Sequence, residues 1–125
     1  MKFEIDVAGY DLFWDRDYTI CIANEGIIKG FKFNKELISS LVSNWKNNKY
    51  KKYPYNPYET KKGIFKVRVY SIIIYYLFKS IPKPDFVSLT ICRDFKGREN
   101  EIIQNIKFFL SKLNINSGKP QFQRL

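Results

Sequence analysis

Apolar and polar residues alternate one by one over residues 2–8, with Phe3, Ile5 and Val7 on one face and Glu4, Asp6 and Ala8 on the other. That is the period of a strand with one face on a core. Gly9 ends the run. Residues 18–23, rich in Thr, Ile and Tyr, predict a second strand, and residues 27–33 a third. Between them Asn24-Glu25-Gly26 reads as a tight turn in which Gly takes positive φ at low cost. Three strands with short links predict an antiparallel meander. The period then lengthens: Leu37, Ile38, Leu41, Val42 and Trp45 recur at helical spacing, Asn34 is placed to cap them, and the helix is expected to end near 46–48. Residues 49–63 carry Pro54 and Pro57 and predict a loop. Residues 64–80 are apolar on most sides apart from Lys66, Arg68 and Lys79. The run is long for a strand and predicts a buried helix, stopped by Pro82 and Pro84. Residues 86–92 predict a strand that is apolar on both faces, as a central parallel strand requires. A loop is expected over 93–97 and an amphipathic helix over 98–113. Ile102, Ile106, Phe109, Leu110 and Leu113 share a face of that helix, and Glu99 and Glu101 occupy its first turn, where the dipole favours them. From Asn114 the tail is expected to be loosely ordered, with residues 121–125 able to add an edge strand. No internal repeat is present.

The element order is β-β-β-α-loop-α-β-α. A right-handed crossover after the meander returns the fourth strand parallel beside the first, giving a sheet order 3-2-1-4 with helices packed on it. The expected class is therefore α/β, one domain over 1–113 followed by a tail over 114–125. The chain has 125 residues, 45% apolar and 18% aromatic, enough for one cored domain and unlike a disordered segment. It contains no His, which excludes imidazole acid–base catalysis. A zinc site would need carboxylates beside Cys21 and Cys92, an unattractive donor set. Both cysteines fall in predicted strands and read as small buried apolar side chains. On strands flanking the first they would lie roughly 10 Å apart, too far for a disulfide. No apolar stretch follows Met1-Lys2 as in a secretory signal, and the longest oily run, 69–78, is too short to span a bilayer. An intracellular, cytoplasmic protein away from membranes is expected.

Charge sharpens the picture. Twenty-two Lys plus Arg against twelve Asp plus Glu leave a net charge of +10, which favours a polyanionic partner, DNA or RNA. Lys49, Lys51, Lys52, Lys61 and Lys62 are interleaved with tyrosines that include Tyr53 and Tyr55. Lysines contact phosphates and tyrosines stack on bases; equally, such tyrosines cover a core while the lysines stay solvated. Arg93, Lys96 and Arg98 surround Asp94. They suit a scissile phosphate, or ion pairs that neutralise Asp94 and Glu99.

Two segments suggest a family. Pro84-Asp85-Phe86-Val87-Ser88-Leu89-Thr90-Ile91-Cys92-Arg93-Asp94-Phe95-Lys96-Gly97-Arg98-Glu99 resembles the part of PIWI domains where a strand runs into an Arg-Asp-Gly turn and an acidic helix start. Phe3-Glu4-Ile5-Asp6-Val7-Ala8-Gly9 resembles the first PIWI strand, which carries an aspartate. The order of elements is that of the wider ribonuclease H-like superfamily. The resemblance implies that Asp6 and Asp94 are catalytic ligands of Mg²⁺ or Mn²⁺; it does not assign the glutamate of the set, for which Glu99, Glu101 and Glu25 are nearby candidates. Such sites hold two metals about 3.5–4 Å apart, and Asp6 suits the bridging place. Phe95 and Lys96 separate Asp94 from Gly97, whereas the family places Gly directly after its aspartate, and the family's last metal ligand has no counterpart here. Two functions follow: a nucleic-acid-binding, metal-dependent nuclease, or a non-catalytic nucleic-acid-binding or protein-assembly module on the same fold. A homodimer or a partner subunit is a further expectation, and a dimer interface suits the third reading that follows. Exposed tyrosines would also suit a protein–protein adaptor.

Overall fold

A computed structural model describes residues 1–9, 18–49, 59–91 and 98–123; at 7–9, 18, 33, 35 and 59–66 the description is of backbone only. Strands β1 (Lys2–Gly9), β2 (Tyr18–Ala23) and β3 (Ile28–Phe33) form the antiparallel meander, with Ile5 opposite Ile22 and Cys21 opposite Gly30. Helices α1 (Lys35–Lys46) and α2 (Glu59–Lys79) lead to β4 (Phe86–Ile91), which lies parallel to β1. Helix α3 (Glu99–Ser111) then leads to β5 (Asn116–Ser117) and β6 (Gln121–Phe122). The sheet order is β3-β2-β1-β4-β5, with β6 also on β4. The protein is thus α/β with a mixed open sheet, and the expected 3-2-1-4 order holds.

The alternation in the strands decides which face is covered. Phe3, Ile5, Ile20, Ile22, Val87, Leu89 and Ile91 are all buried and form one core with Ile38 of α1, Val67, Tyr70, Ile74, Leu77 and Phe78 of α2, and Ile102, Ile106 and Leu110 of α3. The three helices therefore share one face. The other face carries Lys2, Glu4, Asp6, Gly30, Lys32 and Ser88, all exposed, and Thr19, Cys21, Ala23 and Thr90, half-buried. This corrects the expectation for β4. Its burial alternates strictly, with Phe86 and Ser88 exposed, because the helices cover one side and nothing among the described residues covers the other.

Local signals set the ends. The Asn34 side chain accepts a hydrogen bond from the Leu37 amide at 2.8 Å and caps α1. Asn34→Ala should cost about 1 kcal/mol, read as a lower urea midpoint with an unchanged slope. Helices α1 and α3 stop in the same way. Asn48 and Asn114 take φ of 55° and 57°, and the following amides, of Lys49 and Ile115, reach back to the carbonyls of Asn44 and Leu110. These are the six-to-one bonds of a Schellman ending, with Asn in the left-handed position that glycine commonly fills. The β2–β3 link differs from expectation. The Asn24 side chain accepts from both the Gly26 and Ile27 amides, at 3.0 and 2.8 Å, so the turn is closed by an Asx contact and Gly26 has no positive φ.

Two boundaries moved. Helix α2 begins at Glu59, so Lys61 and Lys62 lie in its first turns and not in a loop. Gly63 costs only about 1 kcal/mol within a helix, less than the packing of the turns beyond it supplies. The tail is also more engaged than expected. Ile115 is buried, β5 and β6 occupy successive halves of the outer edge of β4, and the Gln123 amide donates to Ile91 at 2.8 Å. The gap between them holds Pro120, which has no amide to give a ladder.

Candidate metal and nucleic-acid site

Asp6 sits on β1, the central strand of the sheet, on the uncovered face. Its Cα partner in β2 is Cys21, and the preceding Ile5 pairs with Ile91, the last residue of β4. Asp6 therefore lies level with the carboxyl end of β4, where the chain leaves for α3. In open α/β sheets ligands collect outside the carboxyl ends of parallel strands where the order reverses, and β1–β4 is that place here. Glu4 shares the face but sits one pleat back, opposite Ala23 and Thr90, about 7 Å along the strand. Asp94 lies outside the described residues.

The Cys21 thiol reports on this neighbourhood. Its pKa is raised above the ordinary thiol value, first by partial burial and then by the negative charge of Asp6. The strand register agrees, since directly opposed side chains have Cβ atoms about 5 Å apart. Cys21 was expected to be a buried apolar filler; it is a half-buried free thiol on the uncovered face, because the helices lie on the opposite side. Cys92 lies outside the described residues. In a Cys92→Ser background Asp6→Asn should lower the Cys21 pKa and speed its alkylation at pH 8.5 about two- to fivefold. The same rate in both proteins would mean the two side chains do not face each other. The raised folded-state value also fixes a sign. The contribution of Cys21 to stability is whole below the ordinary thiol range and is lost as pH rises through the folded value.

Glu99 opens α3 and is half-buried in its first turn. Arg98 stands at the N-cap position of that helix without capping it, and its guanidinium donates to both carboxylate oxygens of Glu101 at 2.8 and 3.1 Å. Ion pairing was expected toward Asp94 or Glu99; Asp94 lies outside the described residues, and Arg98 pairs with Glu101, three positions on and hence on the same helix face. Lys49 is exposed just beyond α1, and Lys61 and Lys62 lie on α2. Lys51, Lys52, Tyr53, Tyr55, Arg93 and Lys96 lie outside the described residues.

Mg²⁺ and Mn²⁺ take hard carboxylate oxygens. Asp6 supplies such a donor, but among the described residues no three Asp, Glu, Cys or His side chains converge on a possible ion. The set would need completion from residues 10–17 and 92–97, which follow the carboxyl ends of β1 and β4 and hold Asp11, Asp15, Asp17 and Asp94.

Sequence reasoning missed a second polar constellation, on the helical layer. Arg68 of α2 donates to the Asn105 side chain of α3 at 2.6 Å, and Asn105 donates to the Glu101 carbonyl at 2.7 Å. The signal available was Arg68 itself, a charge amid an apolar helix. No helix among the described residues is long and apolar enough to cross a membrane.

No family model, curated protein or solved structure matches this chain.

Proposed function

We propose that the chain is a ribonuclease H-like protein that binds nucleic acid and hydrolyses phosphodiesters with Mg²⁺ or Mn²⁺ held by Asp6 and Asp94. The observation that carries this is the pairing of Ile5 with Ile91. It puts Asp6 one residue past the last rung shared by two parallel strands. Asp94 follows Ile91 by three residues, and three residues of chain reach at most about 11 Å. Chain connectivity alone thus tethers the second aspartate to the neighbourhood of the first.

The strand order supports the same reading, an antiparallel meander continued by parallel strands on the side of β1. Glu99, at the start of the helix that follows Asp94, is the third candidate donor. The net charge of +10 suits the substrate. Bound metal would supply a water acidified enough to attack and positive charge for the leaving oxygen. Asp6 holds its carboxylate on a rigid strand; Arg93, Lys96 and Lys49 are the residues to contact flanking phosphates.

Cleavage of labelled DNA and RNA oligonucleotides, with Mg²⁺ or Mn²⁺ and with chelator, tests the proposal. Cleavage that chelator abolishes supports it. Binding without any metal-dependent cleavage favours the non-catalytic module, and no binding at all removes both. Binding should weaken linearly in log–log plots against salt, by about 0.7 to 0.9 in slope for each phosphate contacted.

A further inference from the structure

The outer face of α2 and α3 carries a continuous row of four aromatic rings. Tyr76 meets Tyr75 at 5.1 Å between centroids, Tyr75 meets Phe109 at 6.0 Å, and Phe109 meets Phe108 at 5.3 Å. The two ends are open to solvent, Tyr76 at 56% and Phe108 at 48%, although large aromatic side chains usually bury most of their surface. Cations flank the row along its length. Lys79 lies 5.9 Å from the Tyr75 ring, Arg68 lies 4.6 Å from Phe109 and 5.5 Å from Phe108, and Lys112 lies 4.9 Å from Phe108. The Arg68–Asn105 hydrogen bond ties α2 to α3 beside the rings of Phe108 and Phe109. This layer lies on the opposite side of the sheet from Asp6.

We propose that this row is a contact surface for single-stranded nucleic acid, with Tyr76 and Phe108 stacking on unpaired bases and Lys79 and Lys112 meeting the phosphates. The inference rests on the nucleic-acid reading above and adds strandedness to it. Charge selects the occupant. A second copy of the chain would bring the same cations against the row, whereas a polyanion with flat apolar bases matches both its charge and its rings. Duplex is disfavoured, because its bases are stacked on one another and cannot reach a ring.

The test is fluorescence anisotropy with a labelled 20-nucleotide oligothymidylate and with a duplex of the same length. Tyr76→Ala and Phe108→Ala should each weaken single-strand binding about tenfold, change duplex binding less than twofold, and leave the thermal midpoint near that of the unaltered protein. Phe108→Tyr should restore binding, and Lys112→Gln should lower the salt slope by about one. If Phe108→Ala fails to fold, the more exposed Tyr76→Ala decides alone. Unaltered single-strand affinity in the alanine variants overturns this inference and leaves the Asp6 reading standing. No binding of either oligonucleotide by the unaltered protein overturns both. A dimer that dissociates in Phe108→Ala assigns the row to self-association and overturns it too.

Discussion

Asp6→Asn is expected to lower metal-dependent phosphodiester cleavage at least about a hundredfold. A metal ion contributes several kcal/mol of charge stabilisation to such a transition state, and each 1.36 kcal/mol is tenfold in rate. Asn keeps the shape of the side chain but removes the negative charge that would hold the ion. Because Asp6 is exposed on the uncovered face, the substitution should disturb the core little, so fold and nucleic-acid affinity should survive. Single-turnover cleavage of a saturating labelled oligonucleotide separates these effects, since it reads chemistry with binding held constant. Glu4→Gln is the internal control. Glu4 is on the same face but one pleat back, and its loss should cost less than tenfold. Equal losses at the two positions would point to a general field effect in place of a ligand.

Phe78→Ala carries the largest expected effect on stability. Phe78 is 1% exposed and its ring meets Phe3 of β1 edge-on, with centroids 5.0 Å apart. It therefore fastens α2 to the strand that bears Asp6. Truncating a buried Phe typically costs about 3–5 kcal/mol, counting the cavity left behind, and the aromatic pair adds about 0.5–1.5 kcal/mol. Whole domains are held by only about 5–15 kcal/mol. The variant should melt on the order of 15 °C lower and unfold at much lower urea. A midpoint shift worth less than about 1 kcal/mol would mean that α2 does not seat on β1 as described.

The elements legible in the sequence were those with one dominant local signal. Strict alternation marked β1, Thr, Ile and Tyr content marked β2, the Asn24-Glu25-Gly26 turn separated β3 from it, and Asn34 ahead of a helical apolar stripe marked the start of α1. The 3-2-1-4 order followed from handedness once the elements were in place. Signals that depend on tertiary context were less legible. The composition of β4 does not tell whether one face or two will be covered; the answer lies in all three helices choosing the same side. Lys61 and Lys62 read as loop because prolines precede them, yet the long apolar helix extends back through Gly63 to Glu59. In the tail, the edge strand expected within 121–125 is present as β6, whereas β5 was not foreseen, because residues 114–117 hold one apolar side chain, Ile115, and the open edge of β4 recruits them. For the site, alternation was enough to place Asp6 on a polar strand face. It could not show that Cys21 would share that face, since the pairing of the two is set by the β1–β2 register. Nor did it single out Glu101 as a partner of Arg98. The partner of Arg98 on α3 is chosen by helical spacing, three residues on.

The most direct measurement is titration calorimetry of Mn²⁺ into the unaltered protein, Asp6→Asn, Asp94→Asn and the double variant. If the two aspartates hold one metal centre, each single variant should bind Mn²⁺ at least about tenfold more weakly. The double variant should then be little worse than either single one, because the two changes strike the same site and do not add. Equal Mn²⁺ affinity in all four proteins, or none in the unaltered one, would contradict a shared metal centre at Asp6 and Asp94.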